Sequence, residues 1–207
     1  MKKLYPKLIK GFTALVAALS LAPSVFPSAV TRVAAGANPA AIQAAVDQFR
    51  TDLGGANNGV GGSFRTGRRE INWDGVPNAQ SQPNQLPFNF FNVTSPRGLV
   101  LHSIQNNAAA HTFRVSASAA SGTAVRFGDI DPTYSTIFQA FSAEKIFHAA
   151  GSNVIEILFF IPGTNIPATV SGFGAVFCDV DASSNTFIEF YASDGSKLSG
   201  NSLNTAN

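Results

Sequence analysis

Thr112-Phe113-Arg114-Val115-Ser116-Ala117 is the stretch that decides the fold class. Phe113, Val115 and Ala117 alternate with Thr112, Arg114 and Ser116, a period of two that only an extended chain sorts onto opposite faces. Strand-like runs surround it: Leu99–Ile104, Ala124–Phe127, Val154–Ile161, Thr169–Val180 and Thr186–Ala192. Val154–Ile161 is apolar on both faces apart from Glu156, as a central sandwich strand requires. Thr169–Val180 is also apolar on both faces, with Gly172 and Gly174 permitting a bulge or a close approach. Turn residues recur about every 8–15 positions, which fits an antiparallel β-sandwich. Composition agrees: 45% hydrophobic residues exclude a disordered chain, and 18 Phe and 18 Gly with one Met and 13% charged residues favour an all-β protein over a helical bundle.

Before these strands the chain reads differently. Lys2, Lys3, Lys7 and Lys10 precede an apolar run, Phe12–Ala22, and small residues around 33–37 offer cleavage sites, so residues 1–37 are expected to be a signal peptide. The apolar run is short of the roughly 20 residues of a membrane span, so no stable membrane insertion is expected after cleavage. The mature protein is then secreted or extracytoplasmic, in the periplasm or at the cell surface. Five of the 14 Lys and Arg residues lie within residues 1–37 and none of the 12 Asp and Glu residues does, so removal takes the formal charge from +2 to −3. A mildly acidic domain without a basic cluster argues against a nucleic-acid partner.

Residues 38–95 form a second region, a helix followed by an irregular Gly/Asn/Pro-rich segment expected to pack on the sandwich. Asn38 can cap, Pro39 suits the first helical position, and Ile42, Val46, Phe49 and Leu53 share one stripe that Gly54-Gly55 ends. From Asn78 to Asn92 the chain is too rich in Pro and Gln for a central strand, yet Phe88, Phe90 and Phe91 can pin it across a sheet. Residues 96–207 hold the sandwich. Asp194-Gly195 marks a hairpin turn, after which Ser196–Ser199 leaves only a very short last strand or a sandwich truncated at its C-terminus. Ser135–Phe147 suits either a short helix or a strand.

Phe127–Tyr134, Phe160–Thr164 and Val170–Asp181, with Arg68–Pro77, resemble segments of uncharacterised secreted bacterial proteins with jelly-roll domains of the galactose-binding-like type, some of which carry a PEP-CTERM-type sorting tail. The resemblance covers most of the mature chain. It implies a jelly-roll sandwich outside the cytoplasm and glycan binding. No hydrophobic sorting tail with a basic end follows here.

Candidate site residues are few. Trp73, the only tryptophan, lies beside Asn72 and Asp74 in a polar loop: an aromatic platform with amide and carboxylate neighbours suits a sugar ring. The same pattern also suits a tryptophan that anchors its loop with Ile71 and Val76. Asp179, Asp181, Ser183 and Asn185 alternate oxygen ligands as a Ca²⁺ loop does, without EF-hand residues at positions six and twelve; strand-ending turns are the alternative. Asp129 and Asp131 make a shorter version. Cys178, the only cysteine, is expected to be a buried small hydrophobe within its strand, without a cationic neighbour to activate it. His102, His111 and His148 have no metal spacing. Glu70, Asp74, Glu144, Glu156 and Glu189 supply carboxylates that sequence does not pair. The reading is therefore a non-catalytic module binding a glycan or another cell-surface polymer. The alternatives are a purely structural envelope or matrix protein, and a glycoside hydrolase-like enzyme, which needs two carboxylates roughly 5–10 Å apart.

Overall fold

The computed structural model describes residues 29–105, 108–110, 112–180 and 186–204. Most of the expected signal segment lies outside these residues, as do Asp181, Ser183 and Asn185. Thr31–Asn207 makes one unit, and of the other, Met1–Val30, only residues 29 and 30 are described. The described chain is mostly non-helical, with small antiparallel strand pairs and one long helix.

That helix, α1 (Pro39–Asp52), begins where the sequence indicates. Asn38 Oδ1 accepts from the Ala41 amide at 3.2 Å, Pro39 takes the first turn, and Gly54 and Gly55 end it at φ +100° and +78°. Its apolar stripe is half-buried, and part of it packs on an irregular segment rather than on a sheet. A Cβ on Gly174 would sit 2.8 Å from Phe49 Cε1, and one on Gly172 would sit 2.8 Å from Leu53 Cδ2. Close approach is therefore what these two glycines provide. Thr169–Val180 forms no strand: it follows α1, leaving Val176 and Phe177 exposed.

The strands are β1 (Leu99–Gln105), β2 (Ala108–Ala110), β3 (Phe113–Val115), β4 (Phe147–Ala149), β5 (Ile155–Phe159), β6 (Phe187–Tyr191) and β7 (Lys197–Asn204). They form antiparallel groups β2-β1-β5, β3-β4 and β6-β7. Among the described residues β5 is thus an edge strand, not the central strand its composition suggests. β7 spans eight residues, longer than the turn position implies, and closes on β6 through Asp194-Gly195.

Alternation holds within β3, where Phe113 and Val115 are fully buried and Arg114 between them is half-buried; past the strand it fails, because Ser116 is as fully buried as Ala117. The Pro-rich segment supplies β3 with a second edge, since Gln82 N and Leu86 N donate to Val115 O and Phe113 O at 2.7 and 3.0 Å. Further along, Phe88 O and Phe91 O accept from Leu101 N and Leu99 N of β1. Phe90 and Phe91 are buried there, so this segment lies across two strand groups, fixed by its aromatics. Val76, Leu86, Phe113, Val115, Leu99 and Leu101 make the core, with Trp73 and Phe147 packed against it.

Candidate functional site

Four aromatic residues and two isoleucines surround a cavity of about 390 Å³. Phe127 and Ile130 come from a turn, Tyr134 from α2 (Tyr134–Ile137) and Phe138 from the residue after it. Ile146, Phe147 and His148 come from β4 and its approach, and Cys178 and Asp179 complete the lining. The size lies within the range of small-ligand sites.

Local chemistry explains each wall. Ala124–Phe127 is not the strand its composition suggests, because Arg126 and Phe127 adopt left-handed backbone at φ +51° and +62°. Phe127 O then accepts from Ile130 N and Asp131 N, while Asp131 Oδ1 accepts from the Thr133 amide and hydroxyl at 2.9 and 2.8 Å. Those Thr133 bonds hold the Asp131 carboxyl below its ordinary pKa. Asp131 therefore acts as a turn residue, and Asp129 accepts from Gln82 Nε2 at 2.5 Å. Tyr134 and Phe138 meet at 4.7 Å, tilted by 37°. Phe127 meets the His148 ring edge-on at 4.6 Å. His148 Nδ1 donates to Ala149 O at 2.9 Å.

Asp179 is left-handed too, at φ +59°. Among the described residues, Arg126, Phe127 and Asp179 are the non-glycine positions with such backbone, and two of them line this cavity. Each costs about 1 kcal/mol or more, and strain of this kind collects at functional sites. Cys178 is exposed, not a buried strand residue. Desolvation by its surroundings and the Asp179 charge push its thiol above the ordinary range, so it is protonated at neutral pH.

Trp73 stands one ring behind this cavity. It stacks on Phe147 at 4.2 Å with planes 5° apart and meets Phe91 edge-on at 5.5 Å. Asn72 Oδ1 accepts from Asp74 N at 3.0 Å and from Ser142 Oγ at 3.2 Å. Asp74 accepts from Ser142 Oγ, Glu144 N and Lys145 N at 3.0, 3.1 and 2.8 Å. The three residues thus tie their turn to the segment that leads into Ile146, Phe147 and His148. Lys145 completes the tie from within, its Nζ donating to Val76 O at 2.5 Å, Ser81 Oγ at 3.1 Å and Asn78 Oδ1 at 3.4 Å. Burial pushes the Lys145 ammonium below its usual pKa, against the opposing pull of Asp74 and Glu144.

The other sequence candidates stand elsewhere. Glu70 accepts from Arg50 and Arg68, Glu144 from Ala119 N, Glu156 contacts His102 at 3.3 Å, and Glu189 accepts from Lys197 and Tyr191. Among the described residues no group of three or more His, Cys, Asp or Glu side chains is arranged to hold a metal ion, and of the four calcium candidates only Asp179 is described. Likewise, no described helix is long and apolar enough to cross a membrane.

Sequence reasoning missed the cavity as such, yet two of its quoted stretches, Phe127–Tyr134 and Val170–Asp181, meet there. No family model, curated protein or solved structure matches the chain.

Proposed function

We propose that this chain is an exported, non-catalytic binding module that takes part of a cell-surface or matrix ligand, such as a glycan, into its aromatic cavity. We further propose that its strand pairs belong to a jelly-roll type of sandwich. One observation carries the functional reading: Phe127, Tyr134, Phe138 and Phe147 converge on a cavity whose lining includes two strained backbone positions. Aromatic faces of this kind stack on ligand rings. Trp73, Asn72 and Asp74 serve the site from behind, by fixing Phe147 and the 142–145 segment. A glycan array tests this directly: binding lost in Phe138→Ala and weakened in Trp73→Ala supports the site. Binding unchanged in both variants overturns it.

A structural matrix role is the second reading, favoured by the exposed Val154, Ile155 and Ile166 beside the edge of β5. Association that grows with concentration in sedimentation, without ligand, would favour it. Calcium at Asp179, Asp181, Ser183 and Asn185 has its own test. A chelator that lowers the melting temperature supports an ion there, and an unchanged temperature removes it, since a ligand of the native state must stabilise it.

A further inference from the structure

Arg69 and Arg97 lie far apart in sequence, and backbone ties bring both to one loop. Arg69 Nη2 donates to Gly61 O and Gly62 O at 2.6 and 2.8 Å, and Gly61 N donates to Pro96 O, beside Arg97, at 2.7 Å. Arg97 Nε in turn donates to Glu70 O, beside Arg69, at 2.8 Å, and its Nη1 donates to Ser95 Oγ. Arg50 and Arg68 share the Glu70 carboxylate, whereas among the described residues Arg69 and Arg97 have no ion-pair partner. Burial and the Arg97 charge together push the Arg69 guanidinium below its ordinary pKa. Arg69 Nε is buried without a hydrogen-bond partner. A half-buried cation beside a like charge, desolvated against carbonyl oxygens alone, is unfavourable by itself. A bound anion offsets it.

Phe64 adds an apolar face. Its ring centre lies 5.4 Å from the Arg69 guanidinium carbon, and a Cβ on Gly62 would sit 3.0 Å from Phe64 Cε2. Gly62, at φ +65° and without a side chain, is what lets the ring fold back against its own loop. The ring is nevertheless 57% exposed. We propose that Arg69, Arg97 and Phe64 form a binding site for an acidic saccharide, whose carboxylate meets the two guanidiniums and whose ring stacks on Phe64. Arg69 Nη1 and Arg97 Nη2, which have no hydrogen-bond partner among the described residues, are the donors it would use. Without residues 1–37 the chain carries a formal charge of −3, so its overall field repels a polyanion and the attraction has to be local. The site shares no residue with the aromatic cavity and stands or falls without it.

The test is calorimetry and NMR of the Phe rings on the full-length chain. Its probes are tetragalacturonate, the neutral methyl ester of the same tetramer, and inorganic sulfate, all at matched ionic strength. Tetragalacturonate is expected to shift the Phe64 ring and to bind about tenfold more tightly than its ester. Arg69→Gln and Arg97→Gln should each weaken it about three- to tenfold and leave the ester unchanged. Arg97→Gln keeps the Arg69 bonds to the loop, so it carries the test if Arg69→Gln does not fold. Arg65→Gln removes the same charge from the same loop and should change binding by less than about twofold. Phe138→Ala, in the cavity, should leave tetragalacturonate binding intact, which separates failure of the cavity from failure of this site. An ester as tight as the acid, equal weakening by Arg65→Gln and by the pair, or no shift of the Phe64 ring overturns the proposal. Sulfate as tight as tetragalacturonate overturns it too, because the pair then holds an adventitious ion only.

Discussion

β3 and the start of β5 carry the same kinds of side chain and meet different fates. Val115 is fully buried, whereas Val154 and Ile155 are 50% and 38% exposed. The difference lies in what surrounds each strand. β3 has β4 on one edge and residues 82–86 on the other, with Phe147 stacked on Phe113 at 5.7 Å. β5 has β1 on one edge, and on its other edge Phe159 O accepts from Ala168 N near its end. Apolar composition makes a strand eligible for burial, but a second layer is what buries it.

The largest effect should come from the covered side. Phe113→Ala opens a cavity between Leu86, Val115 and Phe147 and should cost about 3–5 kcal/mol in urea unfolding. A cost under about 1 kcal/mol would mean that this core is as loosely packed as β5. Next comes Lys145→Met, which keeps the stem and removes the buried ammonium's bonds to Val76 O, Ser81 Oγ and Asn78 Oδ1, leaving Val76 O with Ser81 Oγ at 3.4 Å and Asn78 Oδ1 with Ser118 Oγ at 3.1 Å. It should cost about 3 kcal/mol, measured by the same unfolding. Identical chemistry then separates the two regions most directly. Val115→Thr buries a hydroxyl and should cost about 2 kcal/mol, whereas Val154→Thr, facing water, should stay within about 0.5 kcal/mol. Equal costs would show that β5 is covered in solution.

These contrasts explain what sequence made legible. Alternation around Phe113, the Asn38-Pro39 start and Gly54-Gly55 end of α1, and the Asp194-Gly195 hairpin all rest on local chemistry, and all appear in the structure. Non-local partners do not show in a sequence. Nothing within Val154–Ile161 announces that its outer edge lacks a full neighbour. Thr169–Val180 has a strand's composition, yet its two glycines fit under Phe49 and Leu53 of a helix more than a hundred residues earlier. The site follows the same rule. Trp73 stood out because it is unique, but the cavity is built from ordinary phenylalanines brought together by left-handed turns, and neither the turns nor the convergence leaves a local pattern.

A smaller effect than the contrast at Val115 concerns how the loosely covered region is held. Arg50 of α1 grips Glu70 through two hydrogen bonds of 2.9 Å, and Arg68 adds a third at 2.5 Å. Burial pushes the Glu70 carboxyl up, but the two arginines together outweigh it and hold the group below its ordinary pKa. The native state therefore binds fewer protons there than the unfolded chain. The contribution is complete above the ordinary carboxylate range and is lost as pH falls through the lowered value. Glu70→Gln should accordingly cost roughly 1 kcal/mol at neutral pH, discounted for its partial exposure, and close to nothing in strong acid. Because this pair anchors α1, whose Phe49 and Leu53 cover residues 172–174, acid should loosen that segment before it touches β3. Hydrogen exchange at a pH below the ordinary carboxylate range should show α1 losing protection while Phe113 and Val115 keep theirs. Simultaneous loss in both would mean that helix and core open as one cooperative unit, and that the difference in exposure is not a difference in stability.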